Sequence, residues 1–309
     1  MNPVVCIGAT LIDELYFSKE TIITGTSNPA LVKKYIGGVM SNISQHLAML
    51  DIPVEYITTL GNDSDGNWVK EVLQTKNVGI SNTLFVNEST GKYTSFLNPD
   101  GSLFAATCVD ICANYLLPEF LETKRKVLLN ASIIMSDTNV DEPTLQWLID
   151  FSKQNNKLLI IEPVSVVKAR KLSHLNLDGV FMITPNQDEI APICNSYLST
   201  ETEMIEMLLA KDIKNIWLRK GAEGSVFYNA IDIIGLKTTQ IKIKDSTGAG
   251  DAALAAWVFA YLNNFKPTYC LQAGHTLAYE VLQQQGAVIN NLNKSSFIET
   301  IYKYYPNAS

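Results

Sequence analysis

Residues 245–254 read DSTGAGDAAL, and the fold turns on what these ten positions do. A strand candidate, TTQIKI (238–243), leads into them, and AALAAWVFAYL (252–262) follows as a helix that is apolar on nearly every face. Glycine lets backbone N–H groups come close to a ligand, and the start of a helix adds about half a unit of positive charge. The stretch therefore reads as an anion cradle, with a plain tight turn into a buried helix as the simpler alternative. Gly248, Gly250 and Ala253 also fit the dinucleotide pattern G-x-G-x-x-A. That fold needs a further strand and an acid about 20 positions on. NNFKPTYCLQAG (263–274) contains no acid, and more helix follows. A Walker loop would end in Gly-Lys-Ser/Thr, which this chain lacks.

Asp251 decides against the plain turn. A carboxylate at the mouth of so apolar a helix is placed where the helix N-terminus favours its ionised form. Beside a phosphate cradle it would repel the phosphate unless it faces the incoming nucleophile. That geometry suits a base that takes a hydroxyl proton while neighbouring amides hold the transferred phosphoryl group.

The rest of the chain sets bounds. It has 309 residues, 47% hydrophobic and 18% charged, which suits one large core, or a core with a small lobe. The net charge is −7, and Lys and Arg form no stripe, so nucleic-acid backbone binding is not expected. The opening MNPVVCIGATLIDELYF reads as a first strand and not as a signal peptide, and no apolar run of about 18 residues predicts a membrane span. Five separated cysteines (Cys6, Cys108, Cys112, Cys194, Cys270) suit reduced thiols in the cytoplasm. His46, His174 and His275 show no spacing for a metal or a triad and read as structural.

Short apolar runs, VVCIGATL, VEYITTLG, ASIIMSD, KLLIIEP, GVFMITPN and NIWLRKG, look like strands buried on both faces. Between them lie helical patterns. VMSNISQHLAML sets Val39, Ile43, Leu47 and Leu50 on one face, and DEPTLQWLIDFSKQ has Asp141 as N-cap and Pro143 in its first turn. The alternation predicts a doubly wound, mostly parallel α/β sheet flanked by helices. Residues 14–36 and 83–107 break the rhythm with alternating segments and turns, and read as a small β-sheet lid on a single domain spanning 1–309.

With these features in place, DSTGAGDAAL resembles the C-terminal signature of the ribokinase-like (PfkB) carbohydrate kinases, and GGVMSNISQHLAMLDIPVEYITTLGNDSDG (37–66) resembles their N-terminal one. The similarity runs over nearly the whole chain and includes the spacing between the two. Within the family, SNPALVKKYIGGVMSNISQHLAML (27–50), SDTN (136–139) and EPVSVVKAR (162–170) are most similar to pseudouridine kinases.

The resemblance implies ATP as phosphate donor, Mg²⁺, and in many members a monovalent cation such as K⁺. It makes Asp251 the catalytic base and the N–H groups of Gly248, Ala249 and Gly250 the anion hole. Asn186 and Glu189 match its N-x-x-E motif, which helps to hold Mg²⁺ through water, although TPNQDE would equally serve as a helix cap. Asp13, Gly37, Gly38 and Asn42 match sugar-binding positions, and Asp137 and Asn139, at a strand end, point to the same crevice. Gly221 and Gly224 match the nucleotide loop; Lys220 beside them reaches either a phosphate or solvent. Gly286 and Ala287 match a segment lining the adenine pocket, and Asp245 and Ser246 lie near the monovalent-cation site. The activity implied is phosphorylation of the 5′-hydroxyl of pseudouridine, with ribokinase or another sugar or nucleoside kinase as the alternative. A non-catalytic sensor on the same fold would not need Asp251. Exposed edges on the lid predict a homodimer formed through it.

Overall fold

The computed structural model describes residues 1–308. Eight strands form the central sheet: Val4–Ile7 (β1), Val54–Ile57 (β4), Ile133–Asp137 (β9), Leu159–Glu162 (β10), Met182–Ile183 (β11), Asn215–Arg219 (β12), Ser225–Asn229 (β13) and Ile233–Leu236 (β14). Their order is β14-β13-β12-β11-β10-β9-β1-β4. All pairings from β4 to β12 are parallel, and the β12-β13-β14 edge is antiparallel.

Both faces of the sheet are covered, which is why its strands read as unbroken apolar runs. Alternate residues go to opposite cores. Val4, Cys6, Met135, Ile160, Met182 and Trp217 join the helices Val39–Met49, Ala249–Leu262 and Pro267–Leu282. Val5, Ile7, Ile134, Ile161, Ile183 and Leu218 join the helices Glu142–Gln154, Gln187–Cys194 and Glu201–Leu209. Helix 249–262 is apolar all round because it lies inside the first core, with residues 252–260 all buried. Asp141 caps its helix, accepting from the Thr144 N–H at 2.9 Å. Ile43, Leu47 and Leu50 are buried, and Val39 is partly so.

The small sheet has four strands, Leu11–Ser18 (β2), Ala30–Gly37 (β3), Lys92–Leu97 (β7) and Leu103–Val109 (β8), in the order β3-β2-β7-β8. It begins at Leu11, not 14, and its second half begins at Lys92, not 83. The intervening Leu84–Val86 (β6) pairs instead with Thr59–Gly61 (β5), in parallel. TTQIKI is a second correction: residues 238–243 form no strand. Their region ties to helix 267–282, with the Thr239 N–H donating to the Tyr279 hydroxyl (3.0 Å) and the Lys244 N–H to the Leu282 carbonyl (2.8 Å). The hydrogen bond from Thr239 draws this segment onto that helix and away from the unpaired outer edge of β14. No helix among the described residues is long and apolar enough to cross a membrane.

Candidate active site

From β1 the chain passes to β4 on one side and later crosses to β9 on the other side of β1. The sheet order therefore reverses at β1, and in an open α/β sheet the crevice beyond the strand C-termini at such a point is where ligands bind. Four strands bring polar residues to this edge: Asp137 ends β9, Glu162 ends β10, Thr184 follows β11 and Arg219 ends β12. A Cβ on Gly8, just after β1, would lie 2.8 Å from Asp137 Oδ2, so the backbone passes directly against that carboxyl.

Helix 249–262 enters the crevice at its N-terminus. Gly248 precedes it with φ of 76°, a left-handed conformation that a side chain would strain, and a Cβ there would meet Ala287 at 2.5 Å. Asp251 sits in the first turn, and Asn42 Nδ2 from helix 39–49 donates to its Oδ2 at 2.8 Å. Residues 209 positions apart in sequence are thus joined. The expectation that the helix N-terminus keeps Asp251 readily ionised is corrected. Burial pushes its carboxyl up to about 7, against the opposing Asn42 hydrogen bond; Glu162 adds to the rise and Arg219 counters it. Loss of water around a carboxylate outweighs the partial charge of one helix end.

Asp13 lies on β2 in register with Tyr35 of β3, and burial raises its carboxyl to about 6. Gly37 closes against it, since a Cβ would come within 2.5 Å of Asp13 Oδ2. Gly38, with φ of 103°, makes the turn into helix 39–49 and passes so near the Ala9 carbonyl that a Cβ would sit 2.4 Å from it. A cleft of about 450 Å³ runs from Asp13, Tyr35 and Tyr93 past Trp68 to Asp245, Gly286 and Ala287. Gly286 and Ala287 thus line the same cleft as Asp13, and Gly286 N–H donates to Asp245 Oδ2 at 3.0 Å. The other Asp245 oxygen accepts from the Thr247 N–H at 2.9 Å. Against the cost of its burial, these amides hold the Asp245 carboxyl below its usual range. Its oxygens serve to clamp two loops, so carbonyls would have to supply most of a monovalent-cation site there. Ser246 is exposed.

Asn186 and Glu189 form a capping box on helix 187–194. Asn186 Oδ1 accepts from the N–H groups of Asp188 (2.9 Å) and Glu189 (3.0 Å), and Glu189 Oε2 accepts from the Asn186 N–H (2.9 Å). Asp137 is fully buried, its Oδ1 accepting from the Asn139 N–H at 2.8 Å while Oδ2 has no partner. Burial raises its carboxyl to about 6. Asn139 itself turns to Lys168, its side-chain oxygen accepting from the ammonium group. Lys220 Nζ pairs with Glu201 Oε1 at 2.6 Å. Gly221 has φ of 54° with open space around it, whereas Gly224 packs against the Leu236 carbonyl.

The residues that the sequence reading passed over are Arg219, Glu162 and Thr184. Arg219 Nη2 donates to Glu162 Oε1 at 2.6 Å and to the Thr184 carbonyl, and the Thr184 hydroxyl donates to Glu162 Oε2. Strand parity could have found them. Arg219 shares the face of Trp217, which packs toward helices 249–262 and 267–282, so its neighbour Lys220 points to the opposite layer and meets Glu201 there.

Residues 1–294 match the family model for pfkB family carbohydrate kinases. A pseudouridine kinase of Escherichia coli is 28% identical over 263 residues, covering 82% of this chain and 81% of that protein. A pseudouridine kinase of Arabidopsis thaliana is 26% identical over 204 residues, 63% of this chain and 51% of its own. Among solved structures, an Arabidopsis thaliana ribokinase complexed with ribose and ATP superposes with a TM-score of 0.86 at 20% identity, over 97% of this chain and 98% of that one.

Proposed function

The chain belongs to the pfkB family of carbohydrate kinases, and we propose that it transfers the γ-phosphoryl group of ATP to the 5′-hydroxyl of pseudouridine. The observation that carries the chemistry is Asp251, held by Asn42 at the start of a buried helix and tuned by burial to about 7. A base with that value is half ionised at neutral pH and returns its proton readily. In the step, the acceptor hydroxyl gives its proton to the Asp251 carboxylate. Its oxygen forms the new P–O bond, and the bond from the γ-phosphorus to the bridging oxygen breaks, with the electron pair leaving on ADP. The N–H groups of Gly248, Ala249 and Gly250 receive the charge of the transferring group.

ATP fits the open backbone around Gly221, where nothing stands within 4 Å of a Cβ position. Mg²⁺, a hard cation that keeps several waters, would be held chiefly by phosphate oxygens, with Asn186 and Glu189 ordering its water. Bound there, it would neutralise developing phosphate charge. Asp13 would accept from two sugar hydroxyls, with Gly37 and Gly38 giving backbone access. The small sheet would close over the site and exclude water, which keeps a poised base from hydrolysing ATP. We assign the reaction to the cytoplasm, where reduced thiols and ATP coexist. Pseudouridine is favoured over other acceptors by the two curated relatives. Coupled-assay kcat/KM on pseudouridine, ribose, adenosine, uridine and fructose tests this. Pseudouridine should lead, and a higher value for any of the other four would reassign the substrate within the same family.

A further inference from the structure

The geometry points to Arg219 as a further catalytic residue, its guanidinium Nη1 bonding an oxygen of the transferring phosphoryl group from beneath Gly250. This rests on the kinase reading above and adds a residue to it. Arg219 is the last residue of β12, and its side chain is 17% exposed. Among the described residues, both of its hydrogen bonds leave from Nη2, to Glu162 and the Thr184 carbonyl. Nε is buried with no partner. Nη1 lies 2.4 Å from where a Cβ on Gly250 would stand, so glycine at 250 is what leaves room for the guanidinium against the start of helix 249–262. A guanidinium has five N–H donors, and the two on Nη1 make no hydrogen bond to the described residues and lie beside the first turn of that helix.

The charges around it say what it is for. Arg219 interacts with the charges of Glu162, Glu189 and Asp251, and Asp251 in turn with those of Glu162 and Asp137. A polyphosphate entering so acidic a rim needs fixed positive charge as well as any metal. Glu162 is 4% exposed and bonded on its other oxygen by Thr184, so it fixes the guanidinium in place before substrate arrives. Preorganised charge of this kind acts where negative charge grows in the transition state, with no reorganisation needed during the reaction. A purely structural ion pair would not require an unpartnered Nη1 at the helix mouth or a glycine opposite it.

The test uses R219A, R219K and the double variant R219M/E162Q in the full chain, with kcat and acceptor KM measured beside thermal unfolding. R219A should lose at least 100-fold in kcat with acceptor KM within threefold, the size seen when one donor to a developing oxyanion is removed. Guanidinium chloride at millimolar concentration should restore part of R219A turnover, and R219K should fall between R219A and wild type. Removing Arg219 alone leaves Glu162 buried and unpaired; R219M/E162Q removes both charges and keeps the fold for comparison. A folded double variant with kcat within threefold of wild type, or an R219A whose turnover guanidinium does not raise, would overturn the assignment while leaving the kinase reading standing. Wild-type protein that phosphorylates none of the five acceptors would sink the kinase reading itself.

Discussion

Replacing Asp251 with Asn tests the base and its environment in one experiment. Asn keeps an oxygen that accepts from Asn42 Nδ2, so the 2.8 Å contact survives while the charge is gone. The wild-type carboxyl titrates at about 7 in the folded chain against 3.8 as the reference value. Because the folded value is the higher one, the folded chain holds this proton more tightly. Its stability therefore falls as pH rises from about 3.8 to about 7 and is level above that. The cost works out at about 2 kcal/mol at pH 5 and about 4 kcal/mol at pH 8, as ceilings for a partly buried group. D251N escapes it. Urea unfolding should show the variant more stable than wild type, by roughly 2–3 kcal/mol more at pH 8 than at pH 5. Turnover should fall by 10²–10⁴, the usual worth of a positioned general base, with little change in acceptor KM. A stability difference that is the same at both pH values would refute the buried, proton-holding Asp251. Turnover within threefold of wild type would remove it from the mechanism.

The other predictions follow the same contacts. N42A removes a hydrogen bond that favours the ionised base, so the acidic limb of the kcat/KM profile should move above about 7, with kcat down about tenfold; an unmoved limb would separate Asn42 from Asp251. G250A puts a methyl group 2.4 Å from Arg219 Nη1, and kcat should drop about 10-fold or more with the protein still folded by circular dichroism. K220M should leave kcat within twofold and cost at most about 1 kcal/mol in unfolding experiments, since Lys220 is spent on Glu201. Val32, Leu103, Phe104 and Val109 are 47–57% exposed on the small sheet, and light scattering should find a dimer that V32D/L103D converts to monomer; a monomeric wild type would end that assembly model.

The layered fold was legible because its signal is local. Runs such as KLLIIEP and NIWLRKG are unbroken only if both sheet faces are covered, and alternate residues do divide between two cores. TTQIKI carried an alternating pattern and formed no strand, because its backbone bonds to helix 267–282 and not to the unpaired outer edge of β14, a choice that no local pattern encodes. The small sheet was legible in kind and misplaced at its ends. Leu84–Val86 is as strand-like as Lys92–Leu97, and only its pairing partner, Thr59–Gly61, assigns it elsewhere.

The site was legible to the extent that its residues act through backbone shape. Gly38 and Gly248 hold left-handed or closely packed positions that glycine alone fills without strain, so their presence in sequence already marks a tight approach. Charge environment was not legible in the same way. Asp251 read as a helix-end anion, and its value is set instead by how much water a buried helix excludes and by Glu162, Asn42 and Arg219 arriving from three other elements. Arg219 shows the limit most clearly. In NIWLRKGAEG, Lys220 adjoins the glycine loop and reads as a contact to phosphate or to solvent, whereas the structure pairs it with Glu201 in the far layer and brings Arg219 to the helix mouth. Two adjacent cations thus acquire different partners, and the buried Glu162 that holds the inner one is 57 positions away in sequence. Motif spacing locates the candidate cradle; the sheet it stands on determines which of the two cations lies beside it.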